Sequence, residues 1–119
     1  MMNTQNLKDE AFEEIEGNRE QIIELGRSVF NEPEEGFREH KTAQKVEAFF
    51  QDWGIQTKSR LAVTGVKGYL EGIGEGPCIA LLGELDALFN PDHPKADQES
   101  GLVHACGDHQ CRRATTPQW

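Results

Sequence analysis

The stretch Cys78-Ile79-Ala80-Leu81-Leu82-Gly83-Glu84-Leu85-Asp86-Ala87-Leu88 decides how this chain is read. Its first five residues are the longest unbroken apolar run in the sequence. Such a run without polar alternation is expected of a strand buried on both faces in an α/β sheet. Glu84 and Asp86 follow two apart, so extended geometry projects them on the same side. Open α/β sheets collect ligands at the carboxyl ends of their strands, which makes these acids the first candidate site. A carboxylate there ligates a metal or orients a histidine that does. By position alone, both acids read equally as solvated residues at a strand end.

Upstream of this stretch, Ile55 to Ser59 alternates weakly and Val66 to Leu70 reads as a strand. The expectation is three strands near 55–60, 65–71 and 77–83, with an antiparallel pair joined by the turn Gly72–Gly76. The glycines of Glu71-Gly-Ile-Gly-Glu-Gly-Pro77 do not read as a phosphate cradle. Two glutamates and no lysine lie there, and a strand rather than a helix follows. The first third is helical in pattern, with Phe12, Ile15, Ile22, Ile23, Leu25, Val29 and Phe30 largely on one face. This helix is expected to start near Leu7 behind Asn6, to weaken at Gly17-Asn18 and to stop before Pro33. A second helix is expected from about His40 to Trp53, with the stripe Ala43, Val46, Phe49, Phe50 and Trp53, and with Gly54 as its left-handed cap. The fold class is therefore α/β, with two helices packed on one face of a short mixed sheet.

Downstream, Asn90 to Gly101 holds twelve polar or turn-forming residues, a length usually functional or disordered inside a compact domain. Then His104, Cys106, His109 and Cys111 place four soft or borderline donors within eight residues. Thiolate and imidazole suit zinc and its neighbours. The alternative is a buried cysteine among surface histidines, and a self-contained structural zinc site normally combines two separated ligand pairs. His40, at a helix start, and His93, between turn-formers, read as surface residues.

Composition narrows the classes. The 119 residues make one domain, with 36% apolar residues and 12 glycines, inside the globular range. A net charge of −9 without a basic run disfavours nucleic acid and anionic lipid as partners. No apolar run approaches the ~20 residues of a membrane span, and no basic start with an apolar core marks a secretory signal. Three cysteines, an odd number, fit reduced thiols in the cytoplasm.

Together these residues carry a resemblance. Glu32-Pro33-Glu34-Glu35-Gly36-Phe37, then Glu39-His40-Lys41-Thr42-Ala43, Gly65-Val66-Lys67-Gly68, Leu81 to Leu88 and His104-Ala105-Cys106-Gly107 occur in one order over roughly residues 20–107. This order is similar to the start of the zinc-type amidohydrolases of the aminoacylase/carboxypeptidase metallopeptidase family. Hippurate hydrolase, indole-acetyl-amino-acid hydrolases and aminobenzoyl-glutamate hydrolase belong to it. The resemblance implies the N-terminal part of a zinc-peptidase-like catalytic domain. It also implies a centre of two divalent metals (zinc, manganese or cobalt), a small amide such as an N-acyl-amino acid as substrate, and a homodimer. Cys106 matches a metal-ligating cysteine, and Asp86 matches the aspartate that supports the metal site from its strand end, a catalytic role.

Two departures accompany the match. The family continues His-Ala-Cys-Gly-His, whereas this chain has Asp108 at the ligating histidine and His109 one residue later. Either Asp108 or His109 is then the irregular metal ligand beside Cys106. Family members are several-fold longer, and their glutamate base and remaining ligands lie further on. The expected organisation is a partial catalytic domain over residues 1–111 and a tail, 112–119, that lacks the family's apolar helical stripe. A shifted frame or premature stop accounts for such a tail, and the chain alone is expected to be inactive. The rival readings are a non-catalytic α/β binding module, which binds no stoichiometric metal, and a standalone zinc protein, which unfolds on chelation.

Overall fold

A computed structural model of the chain describes residues 3–104. Three helices precede two small antiparallel sheets: α1 (Thr4–Gly17), α2 (Arg19–Phe30), α3 (His40–Asp52), β1 (Gln56–Leu61), β2 (Gly65–Tyr69), β3 (Ala87–Phe89) and β4 (Leu102–His104). The α/β class is as expected. The boundary at residue 111 and the tail 112–119 lie outside the described residues.

The long first helix is two. Asn3 caps α1, its side chain accepting from the Gln5 N–H at 3.2 Å, so the start falls three residues before Leu7. The break comes at Asn18, whose φ of −103° and ψ of 10° leave helical geometry directly after Gly17. No residue of α1 is buried, and Leu7, Phe12 and Ile15 stay exposed. Helix α2 ends at Asn31, ahead of Pro33 as expected. Helix α3 keeps its expected span within a residue, Phe49 and Trp53 stack at 5.8 Å, and Gly54 takes a φ of +68°.

The chain then reverses from α3 into the β1–β2 hairpin, which packs beneath that helix. Gly68 marks the contact. A Cβ there would lie 2.9 Å from Ile55 Cγ2 and 3.0 Å from Phe50 Cε2, so only glycine lets α3 and β2 approach this closely.

The third expected strand is the main correction. Cys78 to Leu82 joins no ladder among the described residues, and no strand pair flanks the turn Gly72–Gly76. Ile79, Leu81 and Leu82 are 81%, 95% and 98% exposed. A strand requires neighbours for its N–H and C=O groups, and the described residues offer none to this run. Pairing begins five residues later, where Ala87, Leu88 and Phe89 of β3 oppose His104, Val103 and Leu102 of β4. On the other side of β3, a parallel bridge joins Glu35 to Ala87 and the Ala87 N–H donates to the Glu34 carbonyl at 2.7 Å. Mixed pairing thus exists around β3, but not in the single sheet expected.

The long loop between β3 and β4 is ordered by its own hydrogen bonds. Asn90 N–H donates to the Gly101 carbonyl at 2.9 Å, and the Asp97 carboxylate accepts from Ser100 N–H and Oγ at 2.8 and 2.7 Å. His93 is buried in this loop, not on the surface as expected, and its Nδ1 accepts from Lys95 N–H at 3.0 Å. His40 is exposed, as expected. The apolar core is small and lies here: Ala87, Leu102 and Val103.

Candidate functional site

Three sequence motifs separated by up to about seventy residues meet at the start of β3. The loop Pro33–Glu39 lies against Asp86 and Ala87, and β4 brings His104 opposite Ala87. The approach is close: a Cβ added to Gly36 would meet Asp86 Cβ and Oδ2 at 3.9 Å, ordinary van der Waals contact.

The loop owes its shape to a turn and a capping problem. Arg38 N–H donates to the Glu35 carbonyl at 3.0 Å, and Phe37 takes a φ of +62°, a left-handed conformation uncommon for a bulky residue. Helix α3 begins after Glu39, whose side chain does not cap it. Its orphan N–H groups are served from eight residues upstream. Glu34 Oε1 accepts from Thr42 N–H at 2.6 Å and Thr42 Oγ1 at 2.8 Å, while Oε2 accepts from Lys41 N–H at 3.2 Å. Burial works to raise the Glu34 pKa. The bonds from Thr42 and Lys41, with the Lys41 charge, outweigh it and hold the carboxyl below the usual glutamate value.

Glu39 is freed to fold inward. It is buried, and its Oε2 accepts from Thr64 Oγ1 at 2.7 Å, tying the loop to the β1–β2 hairpin. Burial again pushes its pKa up, and the Thr64 bond, backbone N–H groups and the His40 charge bring the net value down. Neither Glu34 nor Glu39 was singled out from the sequence. The available signal was a helix start, His40-Lys-Thr, with no Ser, Thr, Asp or Asn before it.

Asp86 is half-buried directly before β3, whereas Glu84 is exposed, so the two acids do not share an environment. His104 is 5% exposed, and its Nε2 is buried with no hydrogen-bond partner among the described residues. Burial pulls the imidazole below its ordinary pKa. The Asp86 and Glu34 charges and the Val29 and Asp86 carbonyls work in the opposite direction without reversing it.

The expected metal ligands Cys106, Asp108 and His109 lie outside the described residues. Among the described residues no three His, Cys, Asp or Glu side chains gather to hold a metal. What they do hold is narrower: the buried imidazole of His104, with Nε2 unpartnered among the described residues and the Asp86 and Glu34 charges acting on it. An imidazole nitrogen is a donor that divalent metals take. No helix among the described residues is long and apolar enough to cross a membrane.

No family model matches the chain, and no solved structure does. Curated relatives do match. The Bacillus subtilis protein YhaA, which carries an amidohydrolase name, is 31% identical over 109 residues, 89% of this chain and 28% of the relative. An Arabidopsis thaliana protein named IAA-amino acid hydrolase ILR1-like 4 is 35% identical over 89 residues, 72% of this chain and 20% of its own length. The N-acetyl-L-cysteine deacetylase of Bacillus subtilis is 33% identical over 90 residues, 73% of this chain and 22% of its length. The chain thus spans between a fifth and three tenths of the length of these relatives.

Proposed function

We propose that this chain, which belongs to the amidohydrolases of the aminoacylase/carboxypeptidase metallopeptidase family, supplies one wall of a metal-dependent site that hydrolyses the amide bond of an N-acyl-amino acid or a related small amide. The observation that carries this reading is the convergence of the Glu34–Glu39 loop, Asp86 and His104 at one end of β3, two residues before Cys106 in sequence.

On this reading Cys106 holds the metal together with Asp108 or His109, and Asp86 supports the site from the strand end. A bound divalent metal lowers the pKa of water and polarises the amide carbonyl. The chain's own residues act as a frame. Glu34 fixes the N-terminus of α3 and, through its carbonyl, the start of β3. Glu39 pins the same loop to Thr64, so Asp86 is held against a loop with two anchors. A reducing, cytoplasmic setting keeps Cys106 available as a thiolate. A homodimer is the assembly the family resemblance suggests.

The test is metal titration of the purified 119-residue chain with zinc, manganese and cobalt, followed by assay against hippurate and N-acetyl-amino acids. Stoichiometric binding that Cys106→Ala weakens is expected. No turnover is expected from the chain alone, because a two-metal site needs more ligands than these residues supply and a positioned general base contributes about 10²–10⁴-fold. Absence of metal binding would overturn the metal reading and favour a non-catalytic module. Turnover lost in Cys106→Ala would show that the chain completes its own site.

A further inference from the structure

We propose that residues 78–82 are a pairing strand for a second copy of this chain, docked antiparallel about a two-fold axis at Ala80. The inference is independent of the metal-dependent reading above. Residues 76–86 run without a turn, a bend or a positive φ, and residues 78–82 have no ladder partner among the described residues. All five side chains are exposed, and Leu81 and Leu82 almost wholly so. An extended apolar segment with open edges is a template for another strand, and proteins that avoid such pairing place a lysine, a proline or an inward charge there. None of these interrupts residues 78–82, which Pro77 and Gly83 merely bound.

The segment is complementary to itself in one register. Two-fold symmetry in an antiparallel pair requires one residue to face its own copy. With Ala80 in that place, Cys78 opposes Leu82 and Ile79 opposes Leu81, so all five apolar residues meet apolar residues. Centring on Leu81 instead sets Cys78 against Glu84. Centring on Ile79 sets Leu81 against Pro77, which has no N–H to give. Charge selects the same arrangement. About Ala80, Glu84 faces Gly76, whereas a parallel in-register pair would set Glu84 beside Glu84, a destabilising like-charge contact. Five residues a side make a small interface, so the dimer is reversible, with a Kd on the order of 10–100 μM.

The experiment joins sedimentation velocity of the reduced 119-residue chain to disulfide mapping. Mapping uses the full chain with its native thiols removed by Cys78→Ala, Cys106→Ser and Cys111→Ser. Directly opposed residues lie about 4.5–5.5 Å apart between Cα atoms, within disulfide reach, and residues offset by two lie about 7–8 Å apart, beyond it. Ala80→Cys is therefore expected to cross-link with itself on mild oxidation, about tenfold faster than Ile79→Cys or Leu81→Cys alone. Ile79→Cys mixed with Leu81→Cys should cross-link as readily as Ala80→Cys. The parent chain should show a monomer–dimer equilibrium that added salt strengthens, because each copy carries a charge of −9. A parent chain that stays monomeric well above that concentration range overturns the proposal, as does association that salt weakens. So does an Ala80→Cys variant that cross-links no faster than a control cysteine at exposed Lys8, or an Ile79→Cys variant that self-links faster than Ala80→Cys.

Discussion

Replacing Glu34 with alanine tests whether a carboxylate eight residues upstream is the true cap of α3. The side chain accepts from Thr42 N–H at 2.6 Å, Thr42 Oγ1 at 2.8 Å and Lys41 N–H at 3.2 Å. Loss of a helix cap costs about 1 kcal/mol. Thr42 is 1% exposed, so its hydroxyl loses its partner in a dry place, at about 1–3 kcal/mol. Glu34 itself is only half-buried, and water entering the space it vacates returns part of that. The expected destabilisation is about 2 kcal/mol, or a fall of about 1 M in the urea midpoint for a slope near 2 kcal/mol per M.

Glu34→Gln, which keeps an accepting oxygen, should recover about half. Glu35→Ala is the control, because its pair with Arg38 is exposed at 3.5 Å and contributes little. The pH dependence has a definite sign. The folded-state pKa of Glu34 is depressed, so its contribution is fully present above the unfolded value and is lost as pH falls through the folded one. Stability of the parent chain should therefore drop more steeply in that acid window than stability of Glu34→Ala. A midpoint within about 0.5 kcal/mol of the parent, or identical acid limbs, would refute the capping argument.

Thr64→Val removes the hydroxyl that donates to buried Glu39 at 2.7 Å and should cost about 2 kcal/mol. The Glu39 pKa should rise with it, which carboxyl-carbon NMR reads directly, and an unshifted Glu39 would count against the bond. Gly101→Ala should cost about 1–3 kcal/mol in thermal unfolding, since φ is +68° and a Cβ would sit 2.9 Å from Phe89 Cε2. Equal melting temperatures would mean that the β3–β4 loop adjusts freely. The exposed run Ile79, Leu81 and Leu82 should make the isolated chain self-associate, and Ile79→Lys with Leu81→Lys should reduce this in sedimentation velocity. A parent chain that stays monomeric at high concentration would sink that expectation.

Local rules carried most of the helical part, although the one long helix expected from Leu7 is two helices that begin at Thr4. The apolar period, Gly17-Asn18, Pro33 and Gly54 placed α2 and α3, the break between the first two helices and the left-handed turn after α3, because each acts through the backbone of its own neighbours. The spans of β1 and β2 were legible too, but their pairing was not: the sequence placed the antiparallel pair across Gly72–Gly76, and the structure pairs β1 with β2 instead. The amidohydrolase relationship was also legible, since an ordered set of short motifs survives in sequence whatever each one does in space.

What the sequence could not decide depended on partners distant along the chain. Cys78 to Leu82 has every property of a buried strand, yet whether it becomes one depends on neighbours that the described residues do not provide. Glu34 and Glu39 carry no role in the sequence beyond their place in a motif, and only the fold brings Thr42 of α3 to one and Thr64 to the other. His104 drew notice as one donor among four, and only the pairing of β3 with β4 buried it beside Asp86 and left its Nε2 without a partner among the described residues. Burial and hydrogen bonding belong to pairs of groups. A sequence names the groups, and the tertiary structure decides which of them meet.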